Sequence, residues 1–424
     1  MSLDKSQNDW GWIKAKDFML FNPKESIKKG TVVKNVPMDK IEPKTKEIPS
    51  YELTEYKGGV KFRNGDTLMA RITPCLENGK ISQVSILDYN EIGAGSTEFI
   101  VLREKEGISD KDFIYYLSNS EYFKEPAIKS MVGSSGRQRV QRDVVENLEI
   151  YVPPLETQKK IGKVLSFFDK KISLNKKINK NLEELMHVLF KKYFIDNNPF
   201  YVENDEKWNI IKLKDLIIRN RDKINDFDNW KDELLIDLSN MPRFSIAISN
   251  FDKGKKFTSN IYKLNKYDLL FGSIRPYFGK VGFSPINGVV TGTVHSFKPI
   301  DDIYYSLVLS LISSKTFINY TVSVSKGTKM PSVKWDDFIN YEFAIPDDLS
   351  KIGEYNKILL PLIHKIEKNI LEIQRLTKLR DTLLPKLMSG EIDVSKINCD
   401  LELKYNYMKY LFNQIHTPMS KSVV

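Results

Sequence analysis

The sequence has 424 residues, 41% of them hydrophobic and 28% charged, so it is long enough for about two or three folded domains. Its formal net charge of +10 favours a polyanionic partner, although a general enrichment in lysine explains the charge equally well. With Cys75 and Cys399 as its only cysteines, a polar N-terminus and no long uncharged apolar run, the chain is expected to be cytoplasmic, without a disulfide framework, signal peptide or membrane span.

The two halves of the chain are similar, which indicates a tandem duplication. Five segments of the first half recur in the same order in the second: WGWIKAKDF (10–18) as WNIIKLKDL (208–216), GDTLMARITPCLENGK (65–80) as YDLLFGSIRPYFGK (267–280), GAGSTEFIV (93–101) as VVTGTVHSF (289–297), GSSGRQRVQRDVVENLEIYVPP (133–154) as KGTKMPSVKWDDFINYEFAIPD (326–347), and KISLNKKI (171–178) as KIEKNILE (365–372). The repeat of about 195 residues is far longer than a solenoid repeat, so each copy is predicted to be a domain plus a connector.

The predicted secondary structure differs between the first and last parts of each copy. Its first part mixes β-rich runs such as TEFIVLR, LEIYVPP and YEFAIP with turn residues and helical stretches such as DKDFIYYLSNSEYFKEPAI. Its last part is strongly helical. These patterns predict an α+β fold in which two mixed domains, 1–154 and 197–347, alternate with long helices at 155–196 and 348–395, followed by a tail at 396–424.

The two helical segments carry apolar residues at alternating spacings of three and four, as in a coiled-coil seam. The predicted pairing positions are Ile161, Leu165, Phe168, Ile172, Asn175, Leu182 and Leu189 in the first helix, with Leu185 beside them, and Leu362, Ile366, Asn369, Ile373, Leu376 and Leu383 in the second. A rod of about 60 Å cannot bury its apolar stripe alone, so the helices are expected to pack on each other, antiparallel and with pseudo-twofold symmetry. Pro361 is expected to mark a helix start or a kink.

Asn175 and Asn369 occupy equivalent seam positions. A buried asparagine there would fix register and orientation, whereas a solvated edge position fits the sequence equally well. The segment 155–194 also carries ten lysines against four acidic residues. Most of these lysines are expected to form a solvated face, and a fraction could lie along phosphates.

Catalytic motifs are not evident. GAGSTE (93–98) lacks the third glycine of a dinucleotide loop, no P-loop is present, and the four histidines are scattered without the spacing of a zinc site. The sequence therefore predicts no cofactor, no metal and no catalysis in this chain.

Turns rich in arginine, lysine, glutamine and hydroxyl groups are the candidates for DNA contact, because such side chains bond phosphates and base edges. The strongest candidate is GSSGRQR (133–139), in which the arginines can bond guanine and the glutamine adenine. The candidate residues are Ser134, Ser135, Arg137, Gln138 and Arg139 with Arg71, Thr73 and Lys80 in the first copy, and Lys326, Thr328 and Lys329 with Arg275, Tyr277 and Lys280 in the second. Each cluster could also be an ordinary surface loop.

Nearly the whole chain, to about residue 395, resembles the specificity subunit of type I restriction–modification enzymes. The resemblance rests on NGDTLMARITPCLENGK, GSTEFIVL, GSSGRQRV and IYVPPLETQKKIGKVLSFFDKKISLNKKIN in the first half, and on YDLLFGSIRPYFGKVGF, YEFAIP and LTKLRDTLLPKLMSGEI in the second. The tail departs from this pattern.

The resemblance implies two target-recognition domains that each read one half of a bipartite, asymmetric DNA sequence. It also implies that the two helices set the spacing and dock partner subunits: two methyltransferase subunits that bind S-adenosylmethionine, and two restriction–translocase subunits that use ATP and magnesium. Two other readings stay open, namely a single-chain DNA-modifying enzyme with an unrecognised active site and a coiled-coil scaffold without DNA specificity.

Overall fold

The computed structural model describes residues 10–196, 207–225, 230–254 and 260–394. These residues form two compact units. Unit 1 consists of the described residues within Met1–Lys170 and Lys378–Val424, and unit 2 of those within Lys171–Thr377. The predicted tail at 396–424 lies outside the described residues. In the described ranges, no helix has the length and apolar character that a membrane span needs.

The strands of unit 1 form one two-stranded and two four-stranded sheets. They are β1 (Gly11–Lys14), β2 (Met19–Phe21), β3 (Val32–Val36), β4 (Glu52–Glu55), β5 (Val60–Phe62), β6 (Thr67–Ala70), β7 (Ile81–Gln83), β8 (Gly93–Gly95), β9 (Phe99–Glu104) and β10 (Glu149–Val152). Strand β1 pairs with β10, and the larger sheets have the orders β2-β9-β6-β7 and β4-β3-β8-β5. Strands β3 and β8 run parallel, and the other pairs are antiparallel.

The strands of unit 2 repeat this topology one for one. They are β11 (Trp208–Lys212), β12 (Ile217–Asn220), β13 (Leu234–Ile236), β14 (Asp252–Lys253), β15 (Ile261–Leu264), β16 (Leu269–Gly272), β17 (Val281–Phe283), β18 (Gly288–Thr291), β19 (Val294–Pro299) and β20 (Glu342–Pro346). Strand β11 pairs with β20, and the larger sheets have the orders β12-β19-β16-β17 and β14-β13-β18-β15, with β13 and β18 parallel. The duplication inferred from the sequence is therefore also a duplication of sheet topology.

Short helices cover the sheets at equivalent places in the two units. Unit 1 has α1 (Ala15–Phe18), α2 (Lys111–Asn119), α3 (Glu121–Lys129) and α4 (Arg142–Glu146), and unit 2 has α6 (Tyr305–Ser313), α7 (Lys315–Ser323) and α8 (Trp335–Ile339). The predicted helical stretch DKDFIYYLSNSEYFKEPAI forms two helices because the backbone of Ser120 is extended. The Asp110 side chain caps α2 by accepting a hydrogen bond from the Phe113 N–H at 2.9 Å. The α+β prediction is confirmed.

The long helices are α5 (Leu155–Phe190), which continues into a π-helical turn over Lys191–Ile195, and α9 (Leu349–Met388). Helix α9 begins well before Pro361, so the prediction of a helix start at that proline is wrong, and Pro361 lies inside the helix. Gly390 follows the helix with φ +78°, a conformation that suits glycine at a helix end. The predicted domain boundaries stay predictions.

Hydrogen bonds between polar seam residues set the direction of pairing within unit 2. Asn175 Nδ2 donates to Glu372 Oε2 at 2.8 Å, and Asn369 Nδ2 donates to Asn179 Oδ1 at 2.7 Å. Moving forward along α5 thus means moving backward along α9, so the segments are antiparallel. The three asparagines are buried, which excludes the solvated-edge alternative for Asn175 and Asn369.

The buried seam of α5 shifts by one residue after Asn175. Among the predicted positions of both helices, Ile161, Leu165, Phe168, Ile172, Ile366, Ile373, Leu376 and Leu383 are buried, whereas Leu182, Leu189 and Leu362 are half-buried. Leu185 is 44% exposed, and the buried positions on this stretch are instead Asn179, Glu183, Met186 and Phe190. The apolar pattern misses this shift because two of the buried residues are polar and have hydrogen-bond partners inside the unit.

A buried ion pair joins the helical segments of unit 1. Arg380 Nη1 lies 2.5 Å from Asp169 Oδ1, and the Tyr116 hydroxyl donates a hydrogen bond to the other Asp169 oxygen. The alignment of KISLNKKI with KIEKNILE places Ile363 at the position equivalent to Asp169 and Met186 at the position equivalent to Arg380. Both are buried in the core of unit 2. The same pair of positions is thus ionic in one unit and apolar in the other.

We expect Arg380→Met alone to lower the free energy of unfolding of unit 1 by about 3–5 kcal/mol, because it leaves Asp169 buried without its cation. Asp169→Ile combined with Arg380→Met copies the apolar pair of unit 2 and should restore most of this loss. Urea unfolding of the wild type and both variants measures the difference. A double variant as unstable as the single one would contradict this account of the pair.

Candidate nucleic-acid interface

The GSSGRQR segment forms the tip of a hairpin in unit 1. Val132 and Arg139 exchange backbone hydrogen bonds of 3.1 and 2.9 Å, and the Arg137 N–H donates to the Ser134 carbonyl within the tip. Gly133 and Gly136 have φ values of +135° and +76°, which glycine adopts without strain. Ser134, Ser135 and Arg137 are exposed, and Gln138 is half-buried.

The segment that follows strand β6 supports this hairpin directly through hydrogen bonds. Thr73 and Gln138 are joined by two 3.0 Å hydrogen bonds, one from the Thr73 N–H to the Gln138 carbonyl and one from the Gln138 N–H to Thr73 Oγ1. The Val140 N–H donates to the Arg71 carbonyl at 2.8 Å. The structure therefore brings together two candidate clusters of the first copy. We call residues 71–80 and 132–139 loop cluster 1.

The cations of loop cluster 1 differ in their surroundings. Arg139 is bound to Glu98, with Nη2 2.6 Å from Oε1, and this hydrogen bond holds the pKa of Glu98 below its ordinary value. Arg71 is half-buried and donates to the Val140 carbonyl at 3.3 Å. Arg137 is exposed and has no ion-pair partner among the described residues. Of these three arginines, Arg137 is the one placed to meet a ligand from solvent.

Lys80 and Lys280 have equivalent internal roles. Lys80 Nζ donates to the Met38 carbonyl at 2.8 Å, and Lys280 Nζ donates to the equivalent Leu238 carbonyl. Burial lowers the pKa of Lys280. Both ammonium groups fasten one backbone segment to another, so the predicted contact of these lysines with DNA gains no support from their placement.

The equivalent hairpin of unit 2 is one residue shorter. Lys326 and Ser332 exchange backbone hydrogen bonds of 2.9 and 3.0 Å, and the Arg275 N–H donates to the Pro331 carbonyl at 2.7 Å. Thr328, Lys329 and Lys326 are exposed. The candidate residues of the second copy are thus also brought together, on a tip with different side chains.

A third loop joins this site in unit 2, and the sequence reasoning missed it. The Phe244 N–H donates to the Gly279 carbonyl at 3.0 Å, and the Arg243 guanidinium lies 3.7 Å from the centre of the Phe278 ring. Exposed Arg275 and Tyr277 lie on the intervening turn. The signal in the sequence was an adjacent arginine and phenylalanine, which has no distinctive spacing. We call residues 243–244, 275–279 and 326–332 loop cluster 2.

A buried carboxyl group on helix α5 holds the loop that carries Arg243 and Phe244. Glu183 accepts hydrogen bonds from Ser245 Oγ at 2.8 Å and from the Ile246 N–H at 3.3 Å. Burial raises the pKa of Glu183 to about 7, against the hydrogen bonds that favour its charged form. Loop cluster 2 is therefore positioned partly by a helix that belongs to the connector between the two copies.

The described part of the chain contains no cluster of three or more histidine, cysteine or acidic side chains that could hold a metal ion. The described histidines are separate. His295, for example, is buried against Val333, and burial lowers its pKa to about 4. Which residues contact DNA stays a prediction.

Comparison with known proteins shows which proteins this chain resembles. Residues 7–184 match the family described as Type I restriction modification DNA specificity domain. The specificity subunit of the type I restriction enzyme MjaIX of Methanocaldococcus jannaschii is 28% identical over 319 residues, which cover 69% of this chain and 71% of that subunit. The specificity subunit of the Escherichia coli enzyme EcoAI is 33% identical over 157 residues, which cover 36% of this chain and 26% of that subunit.

A solved structure shows the same fold. The crystal structure of the type I restriction–modification S subunit from M. genitalium has a TM-score of 0.57 at 15% identity, and the match covers 91% of this chain and 98% of that one. The molecule is thus a duplicated α+β protein with long helical connectors. Its similarity to type I restriction–modification specificity subunits confirms the resemblance that the sequence predicted. These relatives are named specificity subunits, which agrees with the predicted role of this chain as a specificity subunit.

We expect Glu183→Gln to remove part of the pH dependence of the stability of unit 2. The pKa of Glu183 in the folded state, about 7, lies above the ordinary value of 4.5. Its contribution to stability is therefore complete below pH 4.5 and is lost as the pH rises through 7, on the order of 3 kcal/mol in all. Urea unfolding between pH 4.5 and 8 tests this, with exposed Glu184→Gln as the control. Equal slopes in the wild type and Glu183→Gln would contradict the expectation.

Proposed function

We propose that each unit reads one half of a bipartite, asymmetric DNA site, unit 1 through loop cluster 1 and unit 2 through loop cluster 2. The observation that carries this proposal is that the two units have the same sheet topology but different side chains on their hairpin tips. A repeated frame presents each tip in the same way, and the different side chains then select different bases. Exposed cations on both tips suit the phosphates beside those bases.

The long helices are proposed to set the spacing of the two half-sites and to dock partner subunits. The hydrogen bonds of the buried asparagines support this role, because a misaligned seam would leave their amide groups without partners and so disfavours other registers. The partners would be two methyltransferase and two restriction–translocase subunits, which would bind S-adenosylmethionine, ATP and magnesium in the cytoplasm. This chain itself would bind none of these cofactors.

The decisive test is a selection from random DNA. The tagged chain is captured from its own host with its co-purifying subunits, and the duplexes that it retains are sequenced. Two short motifs at a constant gap, with a methyltransferase in the eluate, are expected. Uniform recovery of all sequences without a methyltransferase would favour the scaffold alternative. Methylation or cleavage of DNA by the isolated chain would favour the single-chain enzyme.

Binding to the selected duplex should weaken steeply with salt. Phosphate contacts release condensed counterions, so about six contacts would reduce affinity by roughly 1,000-fold between 50 and 200 mM salt. Fluorescence anisotropy across this range gives the slope. A scaffold that does not bind phosphates would show no such slope.

Arg137→Ala combined with Gln138→Ala should relax one half-site and leave the other intact. The hairpin contacts of Gln138 with Thr73 use backbone groups of Gln138, so the tip should keep its shape. Loss of a good bidentate contact costs about 1–3 kcal/mol of discrimination at that base. Repeating the selection with the variant measures the change.

The matched control is Thr328→Ala combined with Lys329→Ala, which alters the tip of unit 2. It should relax the opposite half-site. If either variant weakened both half-sites equally while the protein remained folded, the assignment of one half-site to each unit would be wrong.

A further inference from the structure

Loop cluster 2 exposes three large apolar side chains. Phe244 is 66% exposed, Met330 55% and Tyr277 44%. Backbone hydrogen bonds make these positions neighbours, since the Phe244 N–H is bonded to the Gly279 carbonyl and the Arg275 N–H to the Pro331 carbonyl. The three side chains thus belong to one continuous set of loops rather than to separate surface positions.

The equivalent positions of unit 1 are polar. The Lys44 N–H donates to the Gly79 carbonyl at 2.9 Å, as the Phe244 N–H does to Gly279, so Lys44 corresponds to Phe244. Counting back from the same glycines aligns Glu77 with Tyr277. The hairpin bridges align Met330 with Arg137. The apolar character is therefore a property of unit 2 and not of the duplicated frame.

The backbone at Phe244 has the same conformation as the backbone at the equivalent position of unit 1. The φ of Phe244, +52°, lies in the left-handed region, as does the φ of Lys44, +55°, so this conformation belongs to the duplicated frame. The Phe244 ring lies over Gly279, where a Cβ would come within 2.6 Å of it. Because the ring is two-thirds exposed, it contributes little to the core and is available for a contact outside the protein.

Cationic side chains lie on the same loops as the apolar ones. Arg243 stacks on the Phe278 ring, and Arg275, Lys326 and Lys329 are exposed on the same loops. The occupant should therefore combine negative charge with a small apolar group. In the major groove of DNA, thymine alone among the four bases offers such a group, its 5-methyl, and apolar side chains such as phenylalanine contact it.

We infer that unit 2 recognises thymine in its half-site through the 5-methyl group, with Phe244 as the principal contact and with Tyr277 and Met330 beside it. This inference rests on the proposed function. Unit 1, with Lys44, Glu77 and Arg137 at the equivalent positions, reads its half-site by polar contacts instead.

The test replaces thymine by deoxyuridine, which removes only the methyl group. The full chain with its co-purifying subunits is titrated against the selected duplex, with thymines replaced in one half-site at a time. The Arg137/Gln138 variant identifies the half-site of unit 1, and the other is assigned to unit 2. Replacement in the half-site of unit 2 should weaken binding about fourfold per contacted thymine, which corresponds to about 0.8 kcal/mol for one buried methyl group.

The variant Phe244→Asn links this effect to the residue. Asparagine tolerates the left-handed backbone, so the fold should be retained, and thermal unfolding checks this. The variant should bind the thymine and deoxyuridine duplexes equally, while Lys44→Asn, the matched change in unit 1, should keep the difference. A half-site of unit 2 that lacks thymine, equal affinity of the wild type for both duplexes, or full discrimination by Phe244→Asn would overturn the inference.

These outcomes are separate from failure of the proposed function. If the selection returns no defined sequence, then the proposed function itself fails. A defined bipartite site without methyl dependence would leave that function standing and remove only the thymine contact. Weaker binding of Phe244→Asn that is independent of the methyl group would assign the ring to stacking or to a protein partner, which also overturns the inference.

Discussion

The apolar stripe of each long helix is the constraint on which the rest of the structure depends. A helix of 36 or 40 residues with buried positions along its whole length is stable only when other segments cover those positions. In unit 2, the last part of α5 covers the first part of α9. In unit 1, the first part of α5 is grouped with the last part of α9. Each unit therefore needs helical segments that are far apart in the sequence, and neither sheet domain is complete with only its own copy of the repeat.

Stability and specificity are carried by different atoms in the loop clusters. The hairpins are held by backbone hydrogen bonds, and Lys80 and Lys280 fasten neighbouring segments through backbone carbonyls. None of these contacts depends on which side chains occupy the tips. The tip residues can thus change without loss of the frame, which accounts for two units with the same strand order and few shared polar side chains. Specificity that resides in exposed side chains can diverge faster than the scaffold that presents them.

The sequence predicted the fold well because the duplication tests each inference twice. Strand runs such as TEFIVLR and YEFAIP lie where they were expected, and both long helices were found from their apolar spacing.

The features that the sequence did not predict were missed for physical reasons. The seam of α5 passes through Asn179 and Glu183, and apolar periodicity cannot detect polar residues that are buried with partners. Loop cluster 2 depends on Arg243 and Phe244, which come close to Tyr277 only through tertiary structure. Lys80 and Lys280 stay predicted contact residues, and the sequence does not reveal the carbonyls to which they are hydrogen-bonded.

The difference between the ionic and apolar pairs concerns pairing choice in a duplicated chain. In a protein with two similar helices, α5 can pair with α9, which is the correct pairing. Alternatively, α5 can pair with α5, or α9 with α9, of another copy of the protein. In a wrong pairing, Asp169 or Arg380 would face an apolar side chain such as Met186 or Ile363 and would be buried without its counter-ion. Breaking such a pair costs several kcal/mol, whereas replacing it by an apolar pair costs little. The ion pair of unit 1 thus penalises incorrect partners more than it stabilises the correct one.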